Sequence, residues 1–185
     1  MGIAIANAAA AYGAHVTLVL GPVNQSKVSP AISTINVISA KEMEKECLSR
    51  FPDCDIAILT AAVADYTPEK VSDTKIKKIA GDLVIRLIPT TDIASEMGRI
   101  KKRDQLLAGF ALETDDELKN ATAKLISKNL DLIILNSLRD EGAGFGYDTN
   151  RITMIDRNNN IDKFELKSKE EVAKDILDKI VLLIQ

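Results

Sequence analysis

The sequence predicts an α/β fold with a mostly parallel sheet, and three observations carry that expectation. Short apolar runs recur along the 185 residues, among them residues 55–60, which are β-branched, and 106–112. Amphipathic stretches alternate with them. Three of these open on helix-start signals that set Ser or Thr three residues before Glu: Ser39-Ala-Lys-Glu42, Thr114-Asp-Asp-Glu117 and Ser168-Lys-Glu-Glu171. Hydrophobic residues make up 46% of the chain, enough for a packed core. No internal repeat or linker divides it, so a single domain over residues 1–185 is expected.

Residues 1–12 are rich in alanine and read as a helix, with Gly13 placed to end it. No strand and no Ser, Thr, Asp or Asn cap precedes that helix. A doubly wound fold puts a first strand and a phosphate-binding turn there. Met1 is therefore expected to be internal to a longer protein, with the fold lacking its first strand; a native start at Met1 is the alternative. Residues 15–20 form a strand that closes at Gly21-Pro22. His15, the only histidine, reads as structural or exposed rather than catalytic. Residues 23–33 are a polar loop and residues 35–38 a short strand. The helix begun at Ser39 runs to about Arg50 and is stopped by Pro52. Residues 55–60 read as a fully buried strand.

Further on, residues 83–88 alternate enough for a strand. Pro89-Thr90-Thr91-Asp92 opens a helix with a hydroxyl or carboxylate free to cap it. That helix ends in Lys101-Lys102-Arg103, which complements its dipole and reads as solvated. Residues 106–112 are a buried strand. The helix begun at Thr114 sets Leu118, Ala121 and Leu125 on one face. Residues 132–135 are a strand. Gly142-Ala-Gly144-Phe-Gly146 is a glycine-rich loop, but no dinucleotide fingerprint, because a strand follows it. Residues 152–155 and 163–166 flank Asn158-Asn159-Asn160 as a late antiparallel hairpin. The last helix buries Val172, Ile176, Ile180 and Ile184.

The bulk numbers exclude several classes. A net charge of −3 argues against a general nucleic-acid binder. No apolar run reaches the ~18 residues of a membrane span, and Met1 is not followed by a secretory signal. Cys47 and Cys54 lack metal-ligand spacing and read as buried free thiols in a reducing compartment. A cytoplasmic enzyme is expected.

Function is concentrated around Ala61-Ala62-Val63-Ala64-Asp65-Tyr66. Two alanines after a strand leave room for a ligand against the backbone. Asp65 sets a carboxylate at the strand's C-terminal edge, where open α/β sheets bind ligands. Residues 67–80 carry Pro68 and the lysines Lys70, Lys75, Lys77 and Lys78, a basic flap suited to an anionic, phosphorylated ligand. The helix opening at 90–93 would favour an anion as well as it serves simple capping. Lys124 and Lys128, four apart, share a helix face. Spacing alone favours a solvated pair, with a lean over a ligand as the alternative.

These motifs resemble the phosphopantothenoylcysteine synthetase family, also called phosphopantothenate–cysteine ligase, of the bacterial coenzyme A pathway. The resemblance rests on AAVADY followed, ten residues after its Asp, by Lys75-Ile76-Lys77-Lys78. It continues through GFALET at 109–114 and Leu135-Asn136-Ser137 with Gly144-Phe145-Gly146 to the chain end. It implies a Rossmann-like three-layer fold and a two-step ligation. CTP, with Mg2+, would activate the carboxylate of 4'-phosphopantothenate as an acyl-cytidylate, and cysteine would then displace CMP. Residue by residue, Lys75 is implied as the flap lysine that contacts nucleotide and supports catalysis. Asp65 is implied at a position contacting nucleotide and substrate, Ala61 and Ala62 as the small pair beneath the substrate, and Phe110 as an aromatic contact to the nucleotide. Lys124 and Lys128 match a helical lysine pair near the nucleotide. Thr90, Thr91, Asp92 and Ile93 align with a nucleotide-contacting Asn-Pro-Asp-Ile stretch. Threonines replace its first two residues, so a backbone role is what carries over. No protein metal ligand is implied. The family's turnover asparagine and triphosphate-binding amides lie upstream of Met1, so this chain alone is expected to be nearly inactive. A homodimer with the flap near its partner is also implied, and in many bacteria fusion to a flavin-dependent decarboxylase.

Two other readings compete. Tyr66 and Lys70 have the Tyr-x-x-x-Lys spacing of short-chain nicotinamide oxidoreductases, although Pro68 lies between them and such a pair should share a helix. A non-catalytic nucleotide-binding subunit is the other.

Overall fold

The alanine run at the start folds as α1 (Gly2–Ala11), and Gly13 follows it at φ +88°, a left-handed value open to glycine. The computed structural model describes residues 1–23, 27–78, 81–113, 115–137 and 147–184. β1 (Thr17–Leu20) pairs in parallel with β2 (Ser33–Asn36). The second strand begins two residues before the expected 35–38. Ile38 is exposed and gives its amide to the Glu42 carboxylate at 2.9 Å, so it belongs to the cap of the next helix. Ser39 caps α2 (Ala40–Arg50), its hydroxyl accepting from the Glu42 amide at 3.2 Å. A 3-10 turn over Phe51–Asp53 then leads to β3 (Ile56–Leu59).

β4 (Tyr66–Pro68) and β5 (Leu87–Pro89) form a separate antiparallel arm. The arm corrects the strand expected over 83–88. Only its last residues find a partner, while Leu83, Val84 and Ile85 stay exposed and unpaired by any strand. Ile79 and Ala80 of the flap lie outside the described residues.

α3 (Ile93–Ile100) leads to β6 (Leu106–Glu113), then α4 (Glu117–Ser127), then β7 (Leu132–Ser137). β8 (Thr149–Asn150), β9 (Ile152–Asp156), β10 (Ile161–Lys163), β11 (Lys167–Ser168) and α5 (Lys169–Ile184) complete the chain. The Thr114 end of the expected capping box and the Gly142–Gly146 loop lie outside the described residues. Asp116, at the α4 cap position, makes no side-chain cap bond. The box at Ser168 is reciprocal: the Ser168 hydroxyl accepts from the Glu171 amide, and the Glu171 carboxylate accepts from the Ser168 amide at 3.0 Å.

The main sheet has the order β10-β9-β7-β6-β3. β3, β6 and β7 run parallel, and β9 and β10 add the antiparallel hairpin. Asn159 turns that hairpin at φ +60°, and Asp156 accepts the amides of Asn158 and Asn160. The return strand thereby starts at Ile161, earlier than the expected 163.

Strand alternation divides the core between two faces. Leu106, Ala108, Ile134 and Met154 pack with Ile5 of α1 and Ile176 and Ile180 of α5. Leu107, Ile133 and Ile155 pack with Phe51, Ile93, Met97 and Leu125, and Met43 and Cys47 of α2 cover that side. The result is the expected three-layer, Rossmann-like arrangement. Leu118 and Ile184, expected in the core, are exposed, because each lies at a helix end that outruns the surface it packs on.

Two expectations about burial fail instructively. β3 is half-buried rather than fully buried, with Ile56 37% exposed. Its edge away from β6 has no strand partner among the described residues, and β1–β2 stand as their own sheet across a groove. Of the basic residues expected to be solvated at the end of α3, Lys102 and Arg103 are exposed, but Lys101 is not. Its side chain is 7% exposed and its ammonium sits 2.6 Å from Asp131, which also pairs with Arg157 at 2.8 Å. Burial pulls the Lys101 pKa down, with Asp131 opposing. Among the described residues, no helix is long and apolar enough to cross a membrane.

Candidate functional site

A cleft of about 1250 Å³ opens at the C-terminal ends of β3 and β6 and continues down the groove toward β1. Parallel strands place their loops at this edge, which is the site position general to open α/β sheets. The loop after β3 supplies Ala61 and Asp65. Thr90 is tied to that loop twice: its amide donates to the Asp65 carbonyl at 2.9 Å and its hydroxyl to the Ala64 carbonyl at 2.5 Å. The residue thus clamps the base of the β4–β5 arm to the strand end. Both of its donors are engaged, so the backbone role expected for 90–93 passes to its neighbours.

Asp92 is the α3 cap. One carboxylate oxygen accepts the Ser95 amide at 3.1 Å and the other meets the Lys128 ammonium at 2.8 Å. Burial pushes the Asp92 carboxyl up, but the bonds from Lys128 and Ser95 outweigh it and hold the group below its ordinary value. With Asp92 serving Ser95 and Glu96, the amides of Ile93 and Ala94 are left without intrahelical acceptors at the cleft wall. The Ile93 side chain itself is in the core, so only its backbone is available to a ligand.

The two lysines of α4 complete the rim. Helical side chains lean toward the N-terminal end of their helix, which here carries them up to the strand edge. Lys124 meets Glu113 at 2.5 Å and Lys128 meets Asp92, so the structure favours the reading in which both flank the site. Phe110, half-buried beside Gly109 on β6, lines the same cleft.

The structure therefore gathers Ala61, Asp65, Thr90, Thr91, Asp92, Ile93, Phe110, Lys124 and Lys128 around one cleft. It leaves two candidates outside. Ala62 is exposed and off the wall, and Lys75 is exposed on the loop between β4 and β5. The Tyr66–Lys70 pairing fails: Tyr66 is in β4 and Lys70 in the loop after it, so no helix aligns them. Glu113 was not anticipated, although its place at the end of the GFALET motif was the available signal. Cys47 and Cys54 are free and half-buried, and burial pushes both thiols up.

Among the described residues, no group of three or more His, Cys, Asp or Glu side chains could hold a metal ion. Asp53 and Asp55 line the far end of the cleft, before β3; Asp65 is the carboxylate that lines it just after β3, at the C-terminal strand edge. That donor set fits Mg2+ arriving on phosphates, held by one carboxylate and water, rather than a resident metal centre.

Residues 1–183 match the family described as DNA/pantothenate metabolism flavoprotein C-terminal domain. The chain is 62% identical over its full length to a cysteine/cysteine sulfinic acid decarboxylase of an unknown prokaryotic organism, spanning 51% of that protein. It is 43% identical over 99% of its length to the coenzyme A biosynthesis bifunctional protein CoaBC of Bacillus subtilis, spanning 45% of it. The chain thus spans about half the length of these curated relatives. The crystal structure of the C-terminal domain of a coenzyme A biosynthesis bifunctional protein CoaBC superposes with a TM-score of 0.83 at 34% identity, over 99% of this chain and 81% of that one.

Proposed function

Because this chain belongs to the DNA/pantothenate metabolism flavoprotein C-terminal domain family, we propose that it is the phosphopantothenate–cysteine ligase module of a longer coenzyme A biosynthesis protein. The observation that carries the reading is the convergence of small residues, one unpaired carboxylate, free helix amides and two lysines on the cleft at the strand ends. Such a set can hold two anions side by side and covers little covalent chemistry, which is what a carboxylate activation needs.

In the proposed reaction, a carboxylate oxygen of 4'-phosphopantothenate attacks the α-phosphorus of CTP. The bond from that phosphorus to the bridging oxygen breaks, and pyrophosphate leaves. The amine of cysteine then attacks the acyl carbon, CMP departs, and the amine proton is lost to solvent. Lys124 and Lys128 face the phosphates, together with the amides of Ile93 and Ala94 at the head of α3. Phe110 lies against the base or ribose. Ala61 lets the substrate approach the end of β3, and Asp65 orients the nucleotide. Bound Mg2+ would neutralise phosphate charge. Lys75 joins the site only if the β4–β5 loop folds over it. The β4–β5 arm also offers the surface for a homodimer, since Tyr66, Val71, Val84 and Leu87 are exposed there.

The test is pyrophosphate release by the full-length protein, comparing CTP with ATP in the presence of 4'-phosphopantothenate, cysteine and Mg2+. Release that requires phosphopantothenate, prefers CTP and collapses in Lys75→Gln is the expected result. No release with either nucleotide would overturn the ligase reading. The relative named a decarboxylase is about twice as long as this chain, which matches about half of it.

A further inference from the structure

A carboxylate beside a site for a polyanion is unfavourable unless it has a second task. Glu113 stands in that position. β6 continues four residues beyond Gly109, its last pairing with β3, and Glu113 is the final residue of that extension. Its side chain is 14% exposed and reaches the Lys124 ammonium at 2.5 Å. Lys124 lines the cleft, whereas Glu113 does not. The carboxylate thus lies behind the cation as seen from the cleft. A lysine on a helix surface otherwise samples many rotamers, and ordering it on binding weakens affinity.

We propose that Glu113 is a positioning residue, holding the Lys124 ammonium at the cleft rim so that it meets the nucleotide's phosphates already oriented. The proposal rests on the ligase reading for the identity of the nucleotide and adds the residue that sets its affinity. Strand β6 is the rigid part of the device, since its own Leu107 and Ala108 are fully buried in the sheet. The helix lysine is the adjustable part.

Glu113→Ala, Glu113→Gln, Lys124→Ala and the double variant Glu113→Ala/Lys124→Ala are compared in the full-length protein. CTP affinity is measured by direct titration, and KM and kcat by pyrophosphate release. Glu113→Ala should weaken CTP binding and raise its KM about three- to tenfold, the range expected for one side chain that must be ordered on binding. Its kcat should stay within about twofold, because the positioned cation is present before chemistry begins. Glu113→Gln keeps an acceptor and should fall between the two. In the Lys124→Ala background the Glu113 substitution should have no further effect on affinity. Equal CTP affinity in wild type and Glu113→Ala would overturn the proposal, as would a loss that persists without Lys124. Wild-type protein that binds CTP but releases no pyrophosphate would sink the ligase reading alone, because the affinity comparison still decides the role of Glu113. Wild-type protein that binds no CTP would overturn both.

Discussion

Gly98 sets the distance between α3 and the end of α4, and adding one methyl group there should loosen the site from behind. Gly98 is buried on α3. A Cβ built on it would lie 2.9 Å from the Lys128 carbonyl carbon, 3.2 Å from Asn129 Cβ, and closer still to the Lys128 carbonyl oxygen. The obstacle is backbone, which cannot rotate away. The two segments would have to part by about 1–1.5 Å to recover ordinary contact. Overpacking of this kind is worth about 1–3 kcal/mol. The separation would also strain the bond from the Asn129 side-chain Nδ2 to the Gly98 carbonyl, 2.7 Å long, adding about 1 kcal/mol. Gly98→Ala should therefore destabilise the chain by a net of about 1–3 kcal/mol, once the helix preference for Ala is subtracted, and lower Tm by about 3–12 °C. Helix propensity runs the other way, favouring Ala over Gly by about 1 kcal/mol, so any loss identifies the contact as dominant. Urea unfolding followed by circular dichroism reads the effect. A Tm within about 2 °C of wild type, with an unchanged denaturant slope, would refute the claim that this approach is tight.

Three further predictions test other parts of the structure. Asp92→Ala should remove about 1 kcal/mol at neutral pH through loss of the α3 cap. The wild-type carboxyl is depressed in the fold, so its contribution is present above the unfolded value near 4 and lost as pH falls through the folded value; urea midpoints of the two proteins should converge as the pH drops below that folded value. Asp131→Ala should cost about 3 kcal/mol, because it leaves the buried Lys101 charge unpaired and orphans the Leu107 amide that Asp131 accepts at 2.7 Å; Lys101→Met should cost less, read from the same urea curves. For the homodimer proposed above, Val84→Asp, at a residue 88% exposed, should leave urea stability within about 0.5 kcal/mol yet shift sedimentation toward monomer, and sedimentation equal to wild type would remove the β4–β5 arm as the contact surface.

The elements were legible wherever a local signal decides them. Ser39 and Ser168 announce helices through bonds made within four residues, and the unbroken apolar run of 106–112 reads as a buried strand, whose twofold period puts Leu106 and Leu107 on opposite faces. The site was partly legible for a similar reason: alanines, a carboxylate and lysines at strand ends have few structural uses together. What escaped depends on partners distant in sequence. The exposure of β3 is invisible in its apolar run, because burial depends on what stands beside its free edge. Lys101 looks like an ordinary basic helix end until Asp131, thirty residues on, is seen beside it. Thr90 looks like a helix cap, yet the cap is Asp92, and Thr90 instead fastens the arm to the Ala64 and Asp65 carbonyls.

The same long-range pairings explain why α4 is the element on which the cleft depends. Lys124 and Lys128 are one helical turn apart and share a face of α4. Each is answered by a carboxylate from a different element, Glu113 on β6 and Asp92 at the head of α3. Those two contacts fix α4 both along the sheet edge and across to α3. The third constraint is Gly98, whose missing side chain lets α3 approach the carbonyl of Lys128 itself. A displacement of α3 therefore reaches Lys128 through its backbone and through its ammonium at once, while Lys124 remains fastened to β6. It follows that substitutions on α3 should weaken the Lys128 side of the cleft more than the Lys124 side. In the Gly98→Ala protein, a further Lys128→Ala change should alter nucleotide affinity less than it does in wild type, whereas Lys124→Ala should keep its full effect. Equal losses from both lysines in that background would mean that α4 moves as a rigid body, with neither carboxylate holding its partner in place.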